Sequence, residues 1–127
     1  MTVQELKSAF ESAYGKVSEA VYFSPGRVNL IGEHTDYNGG AVFPCALSFG
    51  TYLLLAKNDK SVMNFKSLNQ PEIISLGFDQ LTTPLDKSWV NYPLGVIAQF
   101  VKRGIAITQG YDILIWGNVP NGAGLSS

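Results

Sequence analysis

The strongest constraint on the fold is a series of short β-branched and aromatic runs, each closed by turn residues. Residues 42–47, 51–56, 62–67 and 73–78 are such runs. Ser48 to Gly50, Asn58-Asp59-Lys60 and Asn69-Gln70-Pro71 separate them. Residues of those types favour turn dihedrals over extended ones. The regular spacing predicts a mixed or antiparallel sheet, with further strands at 20–23 and 111–116, a strand or bend at 28–31 and a loop over 32–40. Two stretches follow a helical period instead. Val3, Leu6, Phe10 and Tyr14 mark a helix over 2–14. Thr2 and Glu5 form a capping box at its start and Gly15 ends it. Leu94, Ile97, Ala98 and Val101 mark a second helix over 92–103. Pro93 suits its first position, with Asn91 or Tyr92 near the cap and Gly104 as the stop. Residues 79–88 read as a polar connection. The order of helix, strands, helix, strand and glycine loop is an α+β arrangement. A length of 127 residues suggests one domain.

Charge and composition exclude several functions. The net charge is −1 and the nine Lys and Arg residues are scattered, so there is no basic footprint for nucleic acid. No apolar run approaches the roughly 18 residues of a membrane span, and the N-terminus reads as an amphipathic helix. One cysteine, Cys45, rules out an internal disulfide. It lies among Val42, Phe43, Pro44, Ala46 and Leu47 and reads as a small core residue, which fits a reducing cytoplasm.

The chemistry concentrates in Gly26-Arg27-Val28-Asn29-Leu30-Ile31-Gly32-Glu33-His34-Thr35-Asp36-Tyr37-Asn38-Gly39-Gly40. Arg27, Glu33, His34 and Asp36 fall within ten residues there. A turn needs Gly, Pro, Asn or Asp at particular backbone positions. It does not need Glu-His-x-Asp beside an arginine. Such a cluster suits a surface that grips a polyhydroxylated ligand. The plainer alternatives are a surface ion pair for Arg27 and a loop cap for His34.

The end of the chain, Asn118-Val119-Pro120-Asn121-Gly122-Ala123-Gly124-Leu125-Ser126-Ser127, leaves a strand and should open a helix. Small residues let the backbone approach an anion, and helical N–H groups then favour negative charge. A Gly-rich turn with a serine cap is the structural alternative. The pattern is neither the Rossmann fingerprint, which needs a third Gly, nor a Walker loop, which needs a Lys. A sugar grip with a phosphate loop points to phosphoryl transfer to a small hydroxylated molecule.

On these residues a family resemblance rests. Residues 25–47 resemble the signature of galactokinases, and residues 117–127 resemble the second motif of their superfamily, the GHMP kinases. Trp89-Val90-Asn91-Tyr92-x-x-Gly95 is similar to the galactokinase pattern between them. The resemblance covers nearly the whole chain. It implies the N-terminal part of a GHMP-kinase-like domain, with a mixed or antiparallel sheet and helices on one face. It implies transfer of the γ-phosphate of ATP to the C1 hydroxyl of α-D-galactose, with magnesium. Arg27 would stabilise developing charge at the C1 oxygen, since a guanidinium keeps its charge. Glu33, His34, Thr35 and Asp36 would bind the sugar. Gly122, Ala123, Gly124, Leu125, Ser126 and Ser127 would surround the ATP phosphates, with Trp89, Tyr92 and Ser67 near the nucleotide. Trp89 and Tyr92 read equally as core under the helix, and Ser67 as an edge-strand serine.

The resemblance also implies that much is missing. The family motif continues beyond Ser127 to a serine associated with magnesium. The glutamate of the metal site, the catalytic aspartate and the C-terminal domain would also lie beyond it. The chain alone is therefore expected not to catalyse, and its parent is expected to be a cytoplasmic monomer. The rival readings are a kinase for N-acetylgalactosamine, a galactose- and ATP-binding sensor without turnover, and a non-functional fragment.

Overall fold

The computed structural model describes residues 1–120. Helix α1 spans Val3–Tyr14, strand β1 Ala20–Ile31, β2 Phe43–Asn58, β3 Val62–Ser67 and β4 Ile73–Gly77. Helix α2 spans Asn91–Lys102 and strand β5 Gly110–Gly117, with short 3-10 turns at Asp36–Asn38 and Phe78–Gln80. The strands form one sheet in the order β1-β2-β5-β3-β4. β3 runs antiparallel to β4 and parallel to β5, so the sheet is mixed.

The short segments expected over 20–31 and 42–56 are two long strands. β1 has 12 residues and β2 has 16. The breaks were read from Ser24-Pro25-Gly26 and from Ser48 to Gly50, and both stretches lie inside strands. β1 is an edge strand, where a proline can sit with its missing N–H on the unpaired side. Gly50 is needed for close approach: a Cβ there would meet the Ser24 carbonyl oxygen at 2.2 Å. Glycine in a strand here marks crowding by neighbouring backbone.

Both helices start and stop for the reasons expected, with one shift. The Thr2 hydroxyl accepts from Glu5 N at 3.2 Å, and the Glu5 carboxylate accepts from Thr2 N at 2.6 Å. Gly15 closes α1 in the left-handed region at φ 69°. In α2, Asn91 opens the helix and Pro93 is its third residue rather than its first. A proline is tolerated there because first-turn N–H groups have no intrahelical acceptor. Asn91 holds the preceding connection: its side chain accepts from Leu85 N at 2.7 Å and donates to Leu85 O at 2.6 Å. Gly104, at φ 85°, turns the chain out of α2.

The chain divides into two compact units. The first comprises Met1–Val21 and Leu54–Ile115. It holds the buried core: Leu6 and Phe10 of α1, Leu54 and Ala56 of β2, Met63 and Phe65 of β3, Leu76, Leu81, Val90, Leu94, Ile113 and Leu114. Alternate residues of β3 point inward, as a strand's two-residue period requires. The second unit comprises Tyr22–Leu53 and Trp116–Ser127. Its strands are held by Asn118, whose N–H donates to Gly50 O at 3.1 Å and whose side chain accepts from Gly50 N at 2.7 Å. Phe23, Tyr52 and Trp116 stack in series, with centroids 4.7 and 5.8 Å apart. Cys45 lies here and is exposed. The expectation of a core cysteine fails because every buried apolar side chain named above belongs to the first unit. Among the described residues no helix is long and apolar enough to cross a membrane.

Candidate functional site

The site lies in the second unit, where β1 ends and a tight loop leads to β2. Gly32 makes the first turn at φ 102°, and a Cβ there would lie 2.8 Å from Ala41 O. A Cβ on Gly40 would lie 2.8 Å from the Thr35 Cβ. The loop thus folds back on itself around Thr35. The Thr35 hydroxyl lies 2.6 Å from Gly32 O and 2.8 Å from Ala41 O, and its carbonyl accepts from Gly40 N at 2.7 Å. His34 adopts φ 67°, a region in which histidine is enriched among non-glycine residues. Asn38 Nδ2 donates to the His34 carbonyl at 2.6 Å, and the Tyr37 hydroxyl hydrogen-bonds His34 Nδ1.

This arrangement makes a cavity of about 240 Å³ lined by Arg27, Val28 and Asn29 from β1 and Glu33, His34, Asp36 and Tyr37 from the loop. That is below the roughly 300–1,000 Å³ of pockets for drug-sized ligands, so it suits a small polar molecule. Four expected residues, Arg27, Glu33, His34 and Asp36, meet there. Thr35 does not line the cavity; its hydroxyl pins the loop. Among the described residues the Glu33 and Asp36 carboxylates accept no hydrogen bond. The loop is held by Thr35, Asn38 and backbone groups instead, which leaves both carboxylates for a ligand. Carboxylates accept from hydroxyls, and arginine and histidine can donate to hydroxyl oxygens. The set therefore matches a ligand whose every hydroxyl both donates and accepts.

Asn29, Val28 and Tyr37 were not singled out from the sequence. For Asn29 the signal was available: strand alternation puts positions 27 and 29 on one face. Tyr37 could be found only from the fold of the loop.

The expected nucleotide residues lie in the first unit or outside the described residues. Ser67 ends β3, a strand flanked by β5 and β4, so it is not on an edge. It is buried, and its hydroxyl accepts from Asn69 N at 3.1 Å. Trp89 precedes α2, and its buried Nε1 has no hydrogen-bond partner among the described residues. Tyr92 is 85% exposed on α2, so the alternative of a core residue under the helix fails for it. Gly122, Ala123, Gly124, Leu125, Ser126 and Ser127 lie outside the described residues. Among the described residues no three His, Cys, Asp or Glu side chains gather to hold a metal.

A largely buried ion pair lies in the first unit. Lys16 Nζ lies 2.6 Å from Asp112, which is 6% exposed. Asn58 and Asn64 donate to the same carboxylate at 3.0 and 2.6 Å. Burial raises the Asp112 pKa, but Lys16, Asn64 and Asn58 outweigh it and hold the carboxyl below its ordinary value. Burial and the Asp112 charge push the Tyr14 hydroxyl well above the usual phenol range. With their bonds satisfied inside the first unit, these groups are structural.

Comparison with known proteins agrees with the motif. The galactokinase galactose-binding signature matches residues 8–57, which contain the whole cavity lining. A galactokinase of Streptococcus mutans is 49% identical over 129 residues, covering 100% of this chain and 33% of that protein. One from Bacillus subtilis is 49% identical over 127 residues, covering 98% of this chain and 33% of its own length. The crystal structure of Lactococcus lactis galactokinase complexed with galactose superposes with a TM-score of 0.90 at 37% identity, over 100% of this chain and 34% of that one. Methanococcus jannaschii mevalonate kinase, at 18% identity and a TM-score of 0.73 over 85% of this chain, shares the fold. The chain thus spans about a third of the length of the relatives it matches. Over that whole span its sequence is similar to galactokinases.

Proposed function

We propose that this chain supplies the sugar-binding part of a galactokinase, which transfers the γ-phosphoryl group of ATP to the C1 hydroxyl of α-D-galactose. The observation that carries this reading is that Glu33 and Asp36, whose carboxylates accept no hydrogen bond among the described residues, line a small polar cavity together with Arg27 and His34. In the reaction the bond from the γ-phosphorus to the ADP oxygen breaks, a bond to the sugar C1 oxygen forms, and the hydroxyl proton passes to a general base in the rest of the parent enzyme. Glu33, His34 and Asp36 orient the sugar so that one hydroxyl is presented to the phosphoryl donor, and orientation is a large share of phosphoryl-transfer catalysis. Arg27 offers a fixed positive charge as the C1 oxygen becomes more negative. The glycine loop at 122–127 is the proposed phosphate cradle, with Ser67, Trp89 and Tyr92 toward the nucleotide. Magnesium would neutralise phosphate charge; among the described residues no three His, Cys, Asp or Glu side chains gather to hold it. Galactose is the proposed partner and the cytoplasm the proposed location, for a monomeric parent.

The test uses a chimera in which this chain is followed by the remaining two thirds of the Streptococcus mutans enzyme. Galactose-dependent ADP release by the chimera, and none by the chain alone, is expected. A chimera that melts cooperatively but releases no ADP with galactose would overturn the reading. Robust turnover by the chain alone would overturn the assignment of roles.

A further inference from the structure

We propose that Tyr37 is a positioning residue that fixes the tautomer of His34, so that His34 meets the sugar as a hydrogen-bond donor through Nε2. The proposal rests on the galactose reading above and deepens it. The Tyr37 hydroxyl hydrogen-bonds His34 Nδ1, and the two rings meet edge to face with centroids 5.9 Å apart and planes at 79°. Both residues line the cavity. A neutral imidazole has one donor and one acceptor nitrogen, and the partner of one fixes the role of the other. A phenol is a better donor than acceptor, so Tyr37 donates to Nδ1 and the proton resides on Nε2. The backbone is held to the same end. His34 is kept in its left-handed conformation by Asn38, and the 3-10 turn Asp36–Asn38 places Tyr37 three residues on, over the imidazole edge. Glu33 and Asp36 are acceptors only when ionised. A donor at His34 then complements them, taking a lone pair of a sugar hydroxyl whose proton goes to a carboxylate. The opposite tautomer would set an acceptor beside two carboxylates, and the cavity would favour ligands with more donors than a sugar has.

The test is Tyr37→Phe in the chimera, read in three ways. Nitrogen-15 spectra of the histidines identify His34 by the signal lost in His34→Ala. In the parent chimera they should show an unprotonated Nδ1 and a protonated Nε2. In Tyr37→Phe they should show a mixture of tautomers. The KM for galactose should rise about three- to tenfold, the loss of a neutral hydrogen bond at one decade per 1.4 kcal/mol, with kcat changed less. In the His34→Ala background Tyr37→Phe should add nothing, because the two act as one unit. An unprotonated Nε2 in the parent would overturn the proposal. So would an unchanged tautomer and KM in Tyr37→Phe, or penalties that add in the double variant. A parent chimera that shows the expected tautomer but binds no galactose would sink the sugar reading and leave the Tyr37–His34 arrangement standing.

Discussion

Arg27 is the residue from which the proposed chemistry is easiest to separate from binding. Lysine keeps its charge but loses the planar fork of donors. Arg27→Lys in the chimera should lower kcat by about 10²- to 10³-fold, the usual loss for one donor at a developing oxyanion. KM for galactose should rise much less, since an interaction made mainly in the transition state appears in kcat. Steady-state kinetics against galactose checks this, and a kcat within twofold of the parent would make Arg27 structural. At this scale the sequence was informative where chemistry is unusual and silent where geometry decides. Glu33, His34 and Asp36 stand out because no turn requires them. Thr35 looks the same on paper, yet its hydroxyl turns back to Gly32 O and Ala41 O. Tyr37 looks like an ordinary aromatic until the 3-10 turn carries it to His34. Cys45 was misplaced because its apolar neighbours imply burial only if something covers their strand.

Among the elements, the first unit is tied together by one carboxylate. Asp112 of β5 receives Lys16 from the turn just after α1, Asn58 from the end of β2 and Asn64 from β3. Ser75 of β4 donates to Asn64 Oδ1 at 2.6 Å, so four of the five strands, all but β1, join the network. Removing one partner of a buried pair leaves the other uncompensated. Lys16 is partly exposed and keeps the Lys57 carbonyl at 2.6 Å, so Asp112→Asn should cost about 1–3 kcal/mol rather than more. The folded pKa of Asp112 lies below the ordinary 3.8. Its contribution is therefore complete above that value and is lost as pH falls through the folded pKa. Urea melts of the chimera should show Asp112→Asn less stable at pH 7 and closer to the parent under strongly acid conditions. Equal stability at pH 7 would show the network to be idle. The capping box, Gly15 and Gly104 made both helices legible. β1 and β2 were cut in two because Pro25, Gly26 and Gly50 carry the same letters as turns. An edge position and the lack of room for a side chain at Gly50 are tertiary facts.

For the whole molecule, the division of apolar surface decides behaviour in isolation. The core belongs to the first unit, while Leu30, Ile31 and Phe43 of the second are 63%, 71% and 61% exposed. Apolar strand surface of this kind promotes association. The chain on its own should therefore elute as oligomers or aggregates in size-exclusion chromatography and bind a hydrophobic dye. A monomer with a cooperative melt would show it to be autonomous. The central claim is that Asp36 and its neighbours grip a sugar and do not merely shape a loop. It is tested most directly by calorimetry of galactose binding to the chimera and to Asp36→Asn, beside thermal melts of both. Asparagine keeps the shape and replaces one acceptor oxygen with a donor. A hydrogen bond to a charged acceptor is worth roughly 1.5–3 kcal/mol, so affinity should fall about 10- to 150-fold with the melt unchanged. Unchanged affinity with a lowered melt would contradict the account and return Asp36 to the turn.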